Sequence, residues 1–304
     1  MEKINGLIAA NFAPYNTDGS VNYALIPAIV EEMLQQGVKG VFICGTNGEG
    51  PSLSTEERMQ LAEAYVNIVN KRLLVFVHVG HSSITEAKRL AAHAAEIGAD
   101  YISAVSAFYF KPSSVDNLVS CMAAIASAAP KTPFFYYHIP TVTGISIDLL
   151  AFLELAEQAI PSFAGIKYTA STIHEYQACL HYKDGKYDIL FGFDELLLPA
   201  LAVGAKGAIG STYNYAGRLY NQVIALFEAG KLAEAELLHF EAVKMIRLLV
   251  KYGPIPTQRS IMKKIGLDLG IPRLPLRSLS AEVEQALYAD LTASGFIALT
   301  KDEQ

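Results

Sequence analysis

Phe163-Ala164-Gly165-Ile166-Lys167-Tyr168-Thr169 is a short, almost unbroken apolar run with one lysine near its end. Such a run is the pattern of a strand covered on both faces, as in a parallel sheet flanked by helices. Lys167 breaks the pattern. An ammonium there must reach water or give up its proton, because an unpaired charge in apolar surroundings costs several kcal/mol or more. Desolvation lowers a lysine's pKa, and an amine that is neutral near pH 7 can attack a carbonyl to form a Schiff base. The plainer alternative is a strand-end lysine that snorkels to solvent.

Working outward, apolar runs of the same kind alternate with amphipathic segments. Strands are expected at 6–10, 40–44, 73–79, 101–105, 133–137, 163–168, 188–192 and 207–211, eight in all. Between the first two, Leu25, Ile26, Ile29, Val30, Met33 and Leu34 mark one helix face, and Gly37 follows its end. Ser54 with Glu57 forms a capping box ahead of Leu61, Ala62, Tyr65, Val66 and Val69. Ser83 with Glu86 repeats the device before Leu90, and Gly98 closes that helix. Further helices are expected at 114–128, 147–157, 173–180, 195–203 and 217–229.

Successive βα units without hairpins predict an α/β protein, a closed (β/α)8 TIM barrel over residues 1–229. An open doubly wound sheet is the main alternative, but no Gly-x-Gly-x-x-Gly follows the first strand. Residues 230–304, with helices expected at 232–251, 257–265 and 281–291, read as a helical extension packed on the barrel within the same domain. The segment 270–276, punctuated by Pro272 and Pro275, reads as a rigid linker.

The chain of 304 residues is 52% apolar, enough for a sizeable core. Its 24 basic and 30 acidic residues give a formal charge of −6 without long runs, which argues against a nucleic-acid or membrane-surface partner. The start of the chain runs straight into a strand-like segment, and neither a signal peptide nor an apolar run long enough to span a bilayer is expected. Cys44, Cys121 and Cys179 are far apart and lack metal-ligand spacing, so they are expected to be reduced, buried thiols of a cytoplasmic protein.

In a barrel of this type the active site lies at the C-terminal ends of the strands, which selects positions without further information. Those ends carry Gly45-Thr46-Asn47-Gly48-Glu49-Gly50, Tyr136-Tyr137-His138, Lys167-Tyr168-Thr169, Gly192-Phe193-Asp194-Glu195 and Ser211-Thr212-Tyr213-Asn214. The glycine-rich loop is either an anion cradle, for a carboxylate or a phosphate, or an ordinary βα turn. Tyr137 could work as a general acid/base or be structural. Asp194 and Glu195 could bind the hydroxyls of a polyol or open the next helix, where acidic residues suit the dipole. His138 is a possible base, but His138-Ile139-Pro140 reads better as a shaped turn.

Taken together, Gly45-Thr46-Asn47-Gly48-Glu49, Tyr137 with Ile139-Pro140, Gly165 to Thr169, Gly192-Phe193-Asp194-Glu195 and Gly210-Ser211-Thr212-Tyr213-Asn214 resemble the N-acetylneuraminate lyase / dihydrodipicolinate synthase family. The likeness runs from about Gly6 to Leu276. It implies pyruvate-dependent class I aldolase chemistry in a homotetramer of barrels. By this resemblance Lys167 forms the Schiff base with the keto carbon of pyruvate. Tyr137 shuttles the proton, relayed through Thr46 and a neighbouring subunit's tyrosine that maps to Tyr109. Gly45, Thr46, Asn47 and Gly48 hold the carboxylate, and Thr169, Gly192, Asp194, Glu195 and Ser211 complete the substrate site. No metal or organic cofactor is implied, since the iminium is itself the electron sink.

Within the family the chain resembles the sialic-acid branch. Dihydrodipicolinate synthases usually place an arginine two residues after the proline of the Tyr-x-x-Pro turn, and Val142 stands there. Asp194, Glu195 and Ser211 suit the hydroxyl-rich tail of a sialic acid. The alternatives are another pyruvate aldolase of the family, or a sugar-acid sensor without turnover, against which the intact Lys167, Tyr137 and Thr46 speak. A phosphosugar aldolase would need a glycine-rich grip after strand 8 that is missing. Two positions depart from the family pattern: Asn47 replaces a common threonine, and Ala107 replaces the proline that usually precedes the aromatic pair Phe108-Tyr109.

Overall fold

A computed structural model describes residues 3–296. Met1, Glu2 and the end of the expected C-terminal extension, residues 297–304, lie outside the described residues. Strands β1 (Gly6–Ala10), β2 (Gly40–Ile43), β3 (Leu74–His78), β4 (Tyr101–Val105), β5 (Phe134–His138), β6 (Phe163–Tyr168), β7 (Asp188–Phe191) and β8 (Gly207–Gly210) pair in parallel and in chain order. β8 returns to β1 through Gly6↔Gly207 to Ala9↔Gly210, so the sheet is a closed barrel. Helices α1 (Ile26–Gln35), α2 (Thr55–Val69), α3 (Ile84–Glu96), α4 (Val115–Ala126), α5 (Pro140–Thr143), α6 (Leu149–Ala159), α7 (Ile173–His181), α8 (Leu197–Ala202) and α9 (Tyr213–Glu228) supply the crossovers. Helices α10 (Leu232–Tyr252), α11 (Pro254–Lys264) and α12 (Ala281–Ala293) follow. This is the expected (β/α)8 barrel with its C-terminal helices.

Local chemistry accounts for most boundaries. Ser54 and Glu57 cap α2 reciprocally, and the Ser83 hydroxyl accepts the Glu86 N–H at the start of α3. β2 stops at Ile43, one residue short of expectation, because Cys44 takes a left-handed φ of 58° and turns the chain into the loop that follows. α9 begins at Tyr213, not at Gly217. Gly217 is inside it for packing, since a Cβ there would lie 2.7 Å from the Gln36 carbonyl oxygen, and the helix kinks at Ala216 beside it. Pro140 begins a single helical turn, where a shaped turn was expected. Among the cysteines Cys44 and Cys179 are buried, whereas Cys121 is only half-buried.

The apolar residues divide by strand parity into two layers. Ile8, Phe42, Phe76, Phe135, Tyr137, Leu190 and Ile209 fill the barrel, and Phe134 and Tyr136 join the shell between barrel and helices. Phe42, Phe76 and Phe135 are almost fully buried, each contributing roughly 1.5–3 kcal/mol. The β5–β6 pairing slips by one residue at this depth: Phe134 faces Phe163, but Phe135 faces Gly165. Gly165 allows it, because a Cβ there would lie 1.8 Å from the Asp188 carbonyl oxygen. Beyond the bulge Tyr137 pairs with Lys167. Both side chains therefore enter the barrel at the same height.

Candidate active site

Lys167 is 4% exposed, and its Nζ lies 3.8 Å from the Phe42 ring centroid and 4.1 Å from that of Tyr137. Burial brings its pKa from 10.5 down to about 7, with the Asp194 carboxylate pulling the other way. About half of the side chains are then free amine at neutral pH, against roughly one in three thousand for an ordinary lysine. The Tyr137 hydroxyl is 3.4 Å from Thr46 Oγ1. Burial raises its pKa, opposed by the hydroxyls of Thr46 and Thr169, so at pH 7 it is a phenol that can hand a proton on while receiving one.

Asp194 completes the centre in an unexpected way. Its Oδ2 accepts the Thr212 N–H at 2.8 Å and the Thr212 Oγ1–H at 2.6 Å. Burial raises its pKa to about 6, with the Thr212 bonds opposing. Gly210 makes the room, since a Cβ there would lie 1.8 Å from Asp194 Oδ1. Half of this carboxylate is thus committed to the fold, and its field acts on Lys167. Glu195 differs: it has no ion-pair partner and caps no helix among the described residues.

These groups share one cavity of about 280 Å3 at the strands' C-terminal rim. Thr46, Asn47, Tyr137, Lys167, Thr169, Gly192, Asp194, Glu195 and Ser211 all line it. Other expected residues lie elsewhere. Gly45 and Gly48 are buried behind Thr46 and Asn47 and do not line it; a Cβ at Gly45 would meet the Phe42 ring at 2.6 Å, and one at Gly48 the Cys44 backbone at 3.0 Å. They let the loop fold tightly, and Thr46 and Asn47 present its polar groups. Tyr109 is 79% exposed on the β4–α4 connection, in ring contact with Phe110, and does not enter its own chain's cavity. His138 packs outside the barrel against Tyr136 and Tyr168, with its pKa lowered to about 4 by burial, so it is not a base for this site.

Several lining residues carry no local signal in the sequence. Ile246, Leu249, Val250, Pro254 and Gln258, from α10 and α11, form part of the wall. Phe42, packed against the Lys167 amine, could have been found by parity, as an aromatic pointing inward on the strand that leads into the Thr46 loop. A larger groove of about 590 Å3, between residues 15–22, α11 and residues 270–279, holds Arg259 and Lys263 but no strand-end nucleophile. Lys167 and Tyr137 are in the smaller cavity.

A buried amine, a phenol relay and hydroxyl-binding groups in one cavity suit imine chemistry on a small polar keto acid. The mouse N-acetylneuraminate lyase is 39% identical over 301 residues, spanning 97% of this chain and 94% of the mouse protein. The Xenopus tropicalis N-acetylneuraminate lyase is 43% identical over 282 residues, 91% of this chain and 92% of that one. Among solved structures, the N-acetylneuraminate lyase (sialic acid aldolase) of Aliivibrio salmonicida superposes with a TM-score of 0.95 at 40% identity, covering 97% of this chain and 98% of that one. Residues 3–294 match the model of the dihydrodipicolinate synthetase family. With fold, length and cavity in agreement, the chain belongs to that family.

Proposed function

We propose that the protein is an N-acetylneuraminate lyase, a Schiff-base aldolase that splits the sugar acid reversibly into N-acetylmannosamine and pyruvate. The single observation that carries the chemistry is the unpaired, almost fully buried amine of Lys167 beside Tyr137 at the floor of the cavity. In this reading Thr46 and Asn47 hold the substrate carboxylate and Lys167 attacks the adjacent keto carbon, losing water to give the iminium. Tyr137, relayed through Thr46, takes the proton of the C4 hydroxyl. The C3–C4 bond then breaks into the free aldehyde sugar and an enamine, which is protonated at C3 and hydrolysed to pyruvate and the free lysine. Glu195, Ser211 and Asp194 pair with the hydroxylated tail. Exposed, apolar Val142 offers no second-carboxylate grip, in keeping with a sugar substrate.

Further parts of this reading are a homotetramer, in which Tyr109 reaches the neighbouring subunit's cavity, and a cytoplasmic setting. Among the described residues no helix is long and apolar enough to cross a membrane. Borohydride reduction in the presence of pyruvate, followed by peptide mapping, tests the chemistry: the adduct is expected on Lys167. An adduct on Lys206 or Lys111 would overturn the assignment.

A further inference from the structure

The loop that presents Thr46 and Asn47 is anchored from the side away from the cavity. Glu49 has a left-handed φ of 50°, and its side chain is 1% exposed. Its Oε1 accepts Arg259 Nη1–H at 3.0 Å, and its Oε2 accepts the Arg273 backbone N–H at 2.9 Å. Arg259, on α11 and equally enclosed, also donates to the carbonyl oxygens of Ala13, just past β1, and of Leu269 and Gly270. Within the loop the Glu49 N–H donates to the Thr46 carbonyl at 3.1 Å, and the Gly50 N–H to that of Gly45 at 3.0 Å. Neither Glu49 nor Arg259 lines the cavity.

A buried ion pair is weak evidence for stability, because desolvation consumes much of the attraction. Here it sits on a residue in a strained backbone region, two and three positions from the groups that face the ligand. What it gains is location: the ion pair fixes the exit of β1, the loop after β2 and the segment 269–273 against each other, the guanidinium holding Ala13, Leu269 and Gly270 and the carboxylate holding the Arg273 N–H. Resting on the aldolase reading above, we propose that Glu49 and Arg259 are positioning residues that set Thr46 and Asn47 at the spacing the pyruvate carboxylate requires. Neither touches substrate.

The test uses pyruvate alone, so the sugar tail plays no part. Both oxygens of Glu49 accept, whereas the amide of Glu49→Gln has one acceptor and one donor, which would meet a donor on Arg273 or Arg259. The pyruvate concentration that half-saturates borohydride trapping should rise about tenfold, with the maximal trapping rate changed far less. The double variant Glu49→Met/Arg259→Met removes both charges but unpairs the Arg273 N–H and the carbonyls that Arg259 holds, so its thermal midpoint should fall; assayed well below that midpoint it should also need about tenfold more pyruvate. Trapping of the parent on Lys167 tests the aldolase reading separately. A double variant that saturates at the parent's pyruvate concentration, or a Glu49→Gln that lowers only thermal stability, would overturn the proposal.

Discussion

Replacing the reactive lysine should make the protein more stable. The Lys167 amine is held in an apolar pocket that lowers its pKa from 10.5 to about 7. At roughly 1.4 kcal/mol for each tenfold change, that gap amounts to about 4–5 kcal/mol of destabilisation once the pH is low enough to protonate both folded and unfolded chains. At pH 7 the cost is nearly all present, about 4 kcal/mol, because the folded amine is only half protonated. Between pH 7 and 10.5 the unfolded chain holds a proton here that the folded chain has released, so folded stability rises with pH across that window. Lys167→Met keeps the stem length, removes the charge and sets a thioether against Phe42 and Tyr137. Allowing for relaxation and water entry, a gain of about 1–3 kcal/mol at pH 7 is expected, shrinking towards zero near pH 10.5. Denaturant unfolding of parent and variant at pH 7, 8.5 and 10, at matched protein concentration, measures it. A variant less stable than the parent at pH 7, or a difference that does not change with pH, would refute the buried-amine argument. Pyruvate trapping should be lost in the variant at every pH.

Tyr137→Phe deletes one hydroxyl and little volume, so cleavage turnover should fall by about 10²–10⁴-fold while the thermal midpoint stays near the parent's; near-full turnover would make Tyr137 structural. Glu195→Ala should weaken cleavage of N-acetylneuraminate but leave pyruvate trapping on Lys167 intact, and sugar acids lacking the glycerol tail should lose less. Equal losses on full and truncated substrates would remove Glu195 from recognition of the tail.

The barrel was legible because its elements are consistent at every level: apolar strands, capped amphipathic helices and no hairpins. The meeting of Lys167 and Tyr137 at one rim of the barrel was legible because strand-end position alone narrows the choice. Other features depend on contacts between distant segments. Gly217 looks like a helix start, yet it is a packing residue inside α9, answering to Gln36 on the far side of the sequence. Asp194 reads as a tail-binding carboxylate, a role its other oxygen leaves open, and nothing near it in the sequence announces that Thr212 takes Oδ2. Gly45 and Gly48 read as the walls of an anion cradle, whereas their lack of side chains serves the packing behind it. The one-residue slip at Gly165 was equally silent, although it decides that Tyr137 and Lys167 share a height.

The wall contributed by α10 and α11 bears on how such a chain can diversify. Lys167 and Tyr137 come from the strand ends, whereas Ile246, Leu249, Val250, Pro254 and Gln258 shape the far side of the same chamber from beyond the eighth βα unit. A recombinant joined between Glu228 and Leu232 would inherit its reaction from one parent and part of its selectivity from the other. Drift confined to these five positions can therefore retune which sugar acid is accepted, whereas shuffling at that seam also replaces Arg259 and its hold on the Glu49 loop.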